Sequence, residues 1–429
     1  MDTAIATKRE RIAPGYGQTD ALPSVPWDEV DGVRIAGVDV FVTAPDDVNL
    51  VVVRVRTSID GLVGWGCATF SQRARAVVET LERYLAPLVC GRCVNDLTDI
   101  WHTVTLDSYW REGPVLNSAL AGIDEALWDI KGKLAGMPVW QLLGGRVRRV
   151  ADTYTHASGR DLEELADQVE ACIHAGYRHI RCQVTVPGTS TYGAAQTSVG
   201  DSSWDPDGYL ALVPRMFEML TERFGERARF IHDVHERLVP ADAIRLLRSL
   251  EAFHPYFIED PVAPEDSAWL EQIRRATHVP IAYGELLTST SAYTSLVTTR
   301  TLDFVRCHIS AIGGLTPAWR LAALAEAHGV RTAWHGPRDV SPIGHAVALA
   351  MDIASPAFGI HEHFEFSEAT EAVFPGTLRT QDGALIPSDS PGLGVGFDPA
   401  EATKHPPTAP TSNWHYSRVR RRDGAVQRP

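Results

Sequence analysis

The chain has 429 residues, of which 44% are hydrophobic and 22% are charged, and this composition is typical of a globular protein. Its formal net charge of −14 gives no support for binding to nucleic acid or to an anionic membrane, so we expect neither as a partner. The six cysteines argue against a disulfide framework, and no apolar run approaches the length that crosses a bilayer, so we expect a cytoplasmic protein.

The N-terminal part of the chain predicts a small α+β domain. Two β-rich runs, 33–44 and 49–58, are separated by a short turn and predict a hairpin, and the glycines that follow are interpreted as turn residues. Apolar residues then recur at helical spacing in 73–89 and in 117–136. A sheet followed by helices is typical of an α+β domain, which we assign to residues 31–149.

From residue 150 onward the pattern changes to alternating strands and helices, which is typical of a parallel α/β barrel. We assign residues 150–375 to a TIM-like (β/α)7–8 barrel, because the first or last of eight units could be atypical. The eight strand candidates are 151–156, 178–184, 228–234, 255–259, 279–284, 302–307, 330–334 and 357–361.

The two ends of the chain lack this alternation. Residues 1–30 carry prolines with little apolar periodicity and predict a poorly ordered arm. Residues 376–429 are rich in glycine and proline, and we expect them to return to the first domain and complete it as a cap on the barrel. The basic run 418–422 is interpreted as a solvated tail.

Three carboxylates stand out in the middle of the chain. Asp233, Glu259 and Glu285 each end a short apolar run, and they are spaced 26 residues apart. Strand ends of a parallel barrel meet at one rim, which is where the chemistry of such barrels occurs. Convergent acids repel one another unless a cation neutralises them, and ligands that are all oxygens suit Mg²⁺. The constant interval disfavours the alternative, which is three ordinary solvated acids.

Candidates for a general acid and a general base lie near these carboxylates. His235 follows Asp233 by two positions, so both side chains point the same way in a strand, and His235 could protonate a leaving group or bind the metal weakly. Tyr192 lies in the long loop 186–208, eleven residues after Arg181. A nearby guanidinium lowers the pKa of a tyrosine and makes it a usable base. The alternative is a tyrosine that packs over the barrel mouth.

A metal-bound carboxylate, a base and an acid together indicate one class of reaction. Removal of the proton α to a carboxylate gives an enediolate that a divalent cation stabilises. An acid directed at the β-hydroxyl then expels water. The expected reaction is therefore β-elimination of water from a sugar acid. The expected partner is this small molecule.

Several motifs resemble the enolase superfamily and, more narrowly, its D-mannonate dehydratase family, whose members include starvation-sensing and D-galactonate dehydratase-like proteins. The resemblance covers roughly residues 30–400 and implies an enolase-type cap on the barrel. Its motifs are 122–145 (GIDEALWDIKGKLAGMPVWQLLGG), 154–159 (YTHASG), 176–188 (GYRHIRCQVTVPG), 232–235 (HDVH), 311–330 (AIGGLTPAWRLAALAEAHGV), 335–346 (HGPRDVSPIGHA) and 358–376 (FGIHEHFEFSEATEAVFPG).

The resemblance implies a role for each matching residue. Asp233, Glu259 and Glu285 would bind Mg²⁺. Tyr192 paired with Arg181 would be the base at C2 of the substrate. His235 would be the acid for the 3-hydroxyl. The residues that would contact the sugar acid are Asn49, His156, Arg306, His335, Asp339 and Glu362.

Departures from the family pattern lie on the substrate side. Arg181-x-Gln183 replaces the Lys-x-Lys of racemases, which argues against the simplest epimerase or racemase mechanism. Pro337 resembles the variants with poor mannonate activity, and Ala311 replaces a histidine. We expect a Mg²⁺-dependent hydro-lyase, and a homo-oligomer, that converts D-mannonate to 2-keto-3-deoxy-D-gluconate, with either full or low activity. The alternatives are a dehydratase of D-gluconate or another aldonate, and a sugar-acid-binding regulatory protein with weak catalysis.

Overall fold

The computed structural model of the protein describes residues 32–185, 203–408 and 420–427. These residues form an α+β cap, a closed barrel of eight parallel strands and a C-terminal segment that contacts both. The predicted fold class is therefore confirmed. Within the described ranges, no helix combines the length and the apolar character that crossing a membrane requires.

The cap begins with a three-stranded antiparallel sheet. Its strands are β1 (Ile35–Thr43), β2 (Leu50–Thr57) and β3 (Val63–Cys67), paired in that order. The central strand is apolar on both faces because both faces are covered. Val53 packs in the core of the cap, and Val52 packs in the core that includes the barrel.

The third strand was not predicted, because its glycines were interpreted as turn residues. Gly64 and Gly66 lie in β3 and face the long helix Pro114–Ala135. A Cβ atom at Gly64 would lie 2.0 Å from the carbonyl oxygen of Ala126, and one at Gly66 would lie 2.0 Å from that of Gly122. The glycines therefore allow a close approach of helix and strand and do not form a turn.

Two buried carboxylates of this long helix join the cap to the rest of the molecule. Asp124 accepts a hydrogen bond from the backbone N–H of Thr316 in the barrel, at 2.9 Å. Asp129 accepts one from Leu393 in the C-terminal segment, at 2.9 Å, and one from Trp65 in β3, at 3.0 Å. These hydrogen bonds connect three parts of the chain at one helix.

Helices fill the intervals between the strands. The predicted helix 73–89 is present with a π-helical turn at Leu81–Leu85, and the predicted helix 117–136 begins earlier, at Pro114, since proline is well suited to the first helical turn. The α-helices are α1 (Ala74–Thr80), α2 (Ala86–Val89), α3 (Leu97–Asp107), α4 (Pro114–Ala135), α5 (Val139–Leu142), α6 (Leu162–His174), α7 (Pro206–Phe224), α8 (Pro240–Leu250), α9 (Leu270–Ala276), α10 (Thr290–Thr298), α11 (Leu315–Ala327), α12 (Pro342–Ala354), α13 (Glu368–Val373) and α14 (Pro399–Ala402).

Eight parallel strands form the barrel. They are β4 (Ala151–Gly159), β5 (His179–Val184), β6 (Arg229–Asp233), β7 (Phe257–Glu259), β8 (Ile281–Tyr283), β9 (Phe304–Val305), β10 (Arg331–Thr332) and β11 (His361–Glu362). From β4 to β10 each strand pairs with the next, and β11 pairs with β4. A bridge between Thr332 and Phe358 closes the ring. Glu362 lies within the last strand, whereas the sequence placed it just after.

The chain after the barrel contacts both domains. Strands β12 (Thr380–Gln381) and β13 (Ala384–Leu385) form a hairpin, and β13 pairs with the start of β4 at Asp152. Further along, the carbonyl oxygen of His405 accepts a hydrogen bond from the backbone N–H of Ala44, at 2.9 Å. The C-terminal segment thus covers the amino end of the barrel and then reaches the cap.

The described part of the basic run is exposed, as expected of a solvated segment, but its backbone is paired with other parts of the chain. The backbone N–H of Trp204 donates to the carbonyl oxygen of Arg420 at 2.7 Å, and Arg421 Nε donates to Gln427 Oε1 at 2.9 Å. Residues 420–427 therefore dock beside the start of α7. The sequence did not predict this pairing, because charge alone does not reveal the backbone pairing of a short hairpin.

Candidate active site at the barrel mouth

The side chains inside the barrel form two layers. Alternate residues of a strand point the same way, so the residue two positions after an interior apolar residue lies one layer nearer the mouth. The apolar layer contains Tyr154, Ile231, Phe257, Phe304, Ala333 and Ile360. The layer above it contains His156, Asp233, Glu259, Arg306, His335 and Glu362. This period of two explains why the polar strand-end residues converge.

The structure brings the three predicted metal ligands together. Asp233 and Glu259 are paired residues at the ends of β6 and β7, and Glu285 follows β8. One carboxylate oxygen from each lies within 4.8 Å of the others. The chain turns towards Glu285 at Gly284, whose φ of 126° is accessible to glycine and strained for other residues. The three acids could therefore hold one divalent cation.

Each of these acids has a separate basic partner. Such partners offset the repulsion among carboxylates that share a site. The pairs are Arg181 Nη1 with Asp233 Oδ2 at 2.7 Å, Arg306 Nε with Glu259 Oε1 at 2.5 Å, and His335 Nε2 with Glu285 Oε2 at 3.0 Å. The predicted base partner Arg181 and the predicted substrate contact His335 thus both lie at the carboxylate cluster.

The partners set the protonation state of two ligands. Burial alone would raise the pKa of Asp233, but the adjacent His235 and Arg181 outweigh burial and lower that pKa. His335 likewise lowers the pKa of Glu285 against the effect of burial. Both carboxylates are therefore ionised at neutral pH, as metal ligands must be.

Glu259 shows that the basic partners do not satisfy the cluster completely. Burial raises its pKa well above the ordinary value, although Arg306 opposes this effect. Its Oε2 atom is buried and has no hydrogen-bond partner among the described residues. A buried carboxylate oxygen without a partner costs free energy. A divalent cation at the cluster would supply that partner, so the donor set fits a hard metal ion.

Arg306 and Glu362 lie deeper than expected. Arg306 is 0% exposed, and it donates to Glu362 and to the carbonyl oxygen of Ala333. Glu362 also lies 2.9 Å from His156 Nε2 and accepts from the backbone N–H of Gly336 at 2.6 Å. The donor nitrogens Nε, Nη1 and Nη2 of Arg306 are all engaged in these bonds. Both residues therefore support the ligand layer, and their contacts with a sugar stay a prediction.

His235 lies beside the first ligand, as predicted. Its Nε2 is 2.8 Å from Asp233 Oδ2, and Gln183 Nε2 is 3.4 Å from its Nδ1. Both His235 and the next residue, Glu236, have left-handed backbones, with φ of 52° and 56°. Burial lowers the pKa of His235, whereas Asp233 opposes that effect. The ring is therefore held at the cluster by a strained turn.

For three other predicted residues, the structure shows no contact with the cluster or does not describe the residue. The amide of Asn49 exchanges two hydrogen bonds with the backbone of Thr408, at 2.9 and 3.2 Å. Asp339 accepts a hydrogen bond from Ser71 Oγ in the cap, at 2.8 Å. Tyr192 lies outside the described residues. Their contacts with a substrate stay predictions.

The structure also adds residues that the sequence analysis did not select. Glu236 and Asp260 form a second acidic group with Glu285, with oxygens within 4.8 Å of one another. Asp260 accepts from the backbone N–H groups of Gly284 at 2.7 Å and of Glu285 at 3.3 Å, and so fixes the turn that presents the third ligand. The signal was available, because Asp260 directly follows the ligand Glu259.

A second residue that was missed is His308. Its ring centroid lies 5.4 Å from that of His335, in an edge-to-face arrangement. It follows Arg306 by two positions, so the period of two that located the other residues would also have found it. His308 therefore belongs to the wall of the site on the side of β9 and β10.

An α+β cap over an eight-stranded barrel with three acids at its mouth defines an enolase-type protein. Residues 164–402 match the enolase C-terminal domain-like family, and residues 30–144 match the N-terminal domain of mandelate racemase/muconate lactonizing enzyme. A relative from Enterocloster bolteae described as a D-galactonate dehydratase family member is 45% identical over 406 residues, covering 93% of this chain and 100% of the relative. One from Catenulispora acidiphila is 46% identical over 417 residues, covering 95% and 97%.

A solved structure agrees with these relatives. An enolase from Pantoea ananatis with bound D-gluconate and Mg is 40% identical, with a TM-score of 0.89, and the match covers 93% of this chain and 100% of that one. The chain therefore belongs to the enolase superfamily and, within it, to the D-galactonate dehydratase family.

Proposed function

We propose that the protein is a Mg²⁺-dependent hydro-lyase that removes water from a sugar acid. The observation that carries the proposal is the group formed by Asp233, Glu259 and Glu285, whose oxygens lie within 4.8 Å of one another at the barrel mouth. Arg181 and His235 flank it. The relative with bound D-gluconate and Mg supports the same ligand classes for this chain.

Asp233, Glu259 and Glu285 would hold the cation, which supplies charge stabilisation to a substrate carboxylate whose α-proton is removed. Arg181 and Arg306 are each paired with a ligand acid, so they offset part of the negative charge of the cluster. The attraction for a sugar carboxylate would therefore come from the cation.

The proton transfers fall to two side chains. Tyr192, activated by Arg181, would take the proton from C2, and His235 would give a proton to the departing 3-hydroxyl. The position of His235 supports this role, because Asp233 and Gln183 hold its ring beside the metal ligands. To act as the acid, the ring must carry a proton, and Asp233 favours the protonated form against the effect of burial on the pKa of His235.

The proposed substrate is D-mannonate, which would give 2-keto-3-deoxy-D-gluconate, with D-gluconate as the second candidate. The bound D-gluconate of the Pantoea ananatis relative favours the second candidate. The two sugars differ only at C2 and lose that centre on dehydration, so they give the same product. A base reaches the C2 proton from one face only. The ratio of the dehydration rates of D-mannonate and D-gluconate therefore reports which side of the site supplies the base.

Arg181, beside which the proposed base Tyr192 would act, and His335 lie on different sides of the acids. The ligands come from β6, β7 and the end of β8, whereas Arg181 lies on β5 and His335 follows β10. Abstraction by a tyrosine next to Arg181 would select one C2 epimer. Abstraction by His335 would select the other.

The test is a screen of aldonic acids with Mg²⁺, followed by a chemical assay for keto-deoxy acids. We expect turnover of D-mannonate or D-gluconate that stops when the metal is chelated. Glu259→Gln serves as the matched variant, since it keeps the shape of a ligand and removes its charge. Calorimetric binding of an aldonate without any product would instead indicate the regulatory sugar-acid-binding protein. If the screen shows no binding and no product for any aldonate, the proposal is refuted.

A further inference from the structure

The described C-terminus forms a small hairpin, which we call the C-terminal hairpin (residues 420–427). The backbone N–H of Arg421 donates to the carbonyl oxygen of Ala425 at 2.8 Å, and that of Gly424 donates to Arg421 at 2.9 Å. The side chain of Asp423 caps the turn by accepting from the N–H of Ala425, at 2.9 Å. These bonds give the hairpin a defined shape without an apolar core.

One buried side chain attaches the C-terminal hairpin to the barrel. Residues 420–426 are exposed, whereas Gln427 is only 4% exposed. Its Nε2 donates to the carbonyl oxygen of Arg237 at 3.3 Å, and its Oε1 accepts from Arg421 Nε at 2.9 Å. Gln427 therefore connects the hairpin to the loop that follows β6.

The loop it contacts carries the proposed acid. Arg237 follows His235 by two residues, and the two residues before Arg237 have positive φ angles of 52° and 56°. Left-handed backbones at non-glycine residues persist only where the surroundings hold them. The bond from Gln427 restrains the carbonyl group at the end of this strained turn. A contact at Arg237 can therefore affect the orientation of the His235 ring.

A second contact attaches the C-terminal hairpin near the start of α7. The N–H of Trp204 donates to the carbonyl oxygen of Arg420 at 2.7 Å, just before α7. Between α7, the loop after β6 and the C-terminal hairpin is a cavity of about 650 Å³, lined by Trp204, Arg237, Leu238 and residues of the hairpin. A cavity between these elements limits the packing contacts between them. Hydrogen bonds therefore contribute much of the attachment of the hairpin.

We propose that Gln427 is a positioning residue for the acid–base step and that the C-terminal hairpin is the element that presents it. Gln427 acts through the Arg237 carbonyl on the turn that holds His235. It touches neither substrate nor metal ligands. The catalytic part of this inference rests on the proposed dehydratase function, whereas the structural part, which is restraint of the loop after β6, does not.

The experiment compares three variants in the full chain. Gln427→Ala removes both bonds, and Gln427→Glu keeps the acceptor for Arg421 while it removes the donor to Arg237. Arg422→Ala is the control, since this exposed residue lies in the same hairpin. We expect kcat on an accepted aldonate to fall about 10- to 100-fold in both Gln427 variants, as misplacement of a catalytic group does. KM and Mg²⁺ affinity should be unchanged in both Gln427 variants. Arg422→Ala should have the wild-type kcat.

Amide hydrogen exchange of residues 233–239 provides a readout that needs no activity. We expect faster exchange in both Gln427 variants and wild-type exchange in the control. Unchanged exchange would overturn the inference even if the enzyme is active. Faster exchange in a protein that dehydrates no aldonate would uphold the restraint and refute only the proposed function. Loss of Mg²⁺ affinity together with a large fall in Tm would overturn the positioning role, because Gln427 would then be structural.

Discussion

Replacement of Arg306 by methionine should strongly destabilise the protein. Arg306 is 0% exposed and pairs with Glu259 and Glu362, which are equally enclosed. Removal of one partner of a buried ion pair costs about 3–5 kcal/mol. Two carboxylates lose their partner here, so we expect a loss near the upper end of that range. Methionine retains much of the apolar stem, which keeps the contribution from an empty cavity small.

Urea unfolding at pH 5 and pH 8, with and without Mg²⁺, would measure this effect. The loss should be smaller at pH 5, where the unpaired carboxylates can take up protons, and smaller with Mg²⁺, which would neutralise Glu259. Arg275→Met is the control, because its exposed pair with Glu271 should contribute no more than about 0.5 kcal/mol. A loss below about 1 kcal/mol for Arg306→Met without metal would contradict the assigned role of this residue.

Three other substitutions have distinct expected results. Tyr192→Phe should lower kcat by about 10²- to 10⁴-fold and leave Mg²⁺ affinity unchanged in calorimetry; wild-type turnover would show that another group is the base. Asp260→Asn should weaken Mg²⁺ binding by about 10- to 100-fold, since it loosens the turn at Glu285, and unchanged affinity would count against that support. Burial raises the pKa of Asp124 to about 7, above roughly 4 in the unfolded chain. The folded state therefore binds the extra proton, and stability should fall as pH rises from about 4 to 7. Asp124→Asn should flatten this dependence in urea unfolding, and an unaltered slope would refute the assignment.

The metal cluster could be predicted because two regularities act together. A constant interval between strands places Asp233, Glu259 and Glu285 at the same rim, and the alternation within a strand directs them inward. The structure pairs Asp233 with Glu259 directly across β6 and β7. Both regularities are local properties of the sequence, so they need no knowledge of how the barrel closes.

Contacts that depend on closure could not be predicted. Arg306 lies on the β9 side of the barrel and binds acids on β7 and β11, so its partners are not on neighbouring strands. A polar strand-end residue therefore gives no indication of whether it faces substrate or supports a ligand. The same limit applies to Asn49, whose partner Thr408 is far away in the chain. The C-terminal hairpin was missed for a related reason, since backbone pairing leaves no signature in charge.

The route of the chain through the cap has a consequence for its biosynthesis. Leu393 and His405 complete the hydrogen bonding of Asp129 and Ala44 in the cap. These residues leave the ribosome only after all eight barrel strands have been made. The cap is therefore synthesised before the barrel but completed after it. A fragment that lacks the C-terminal segment should be more sensitive to proteolysis in the cap than the full chain.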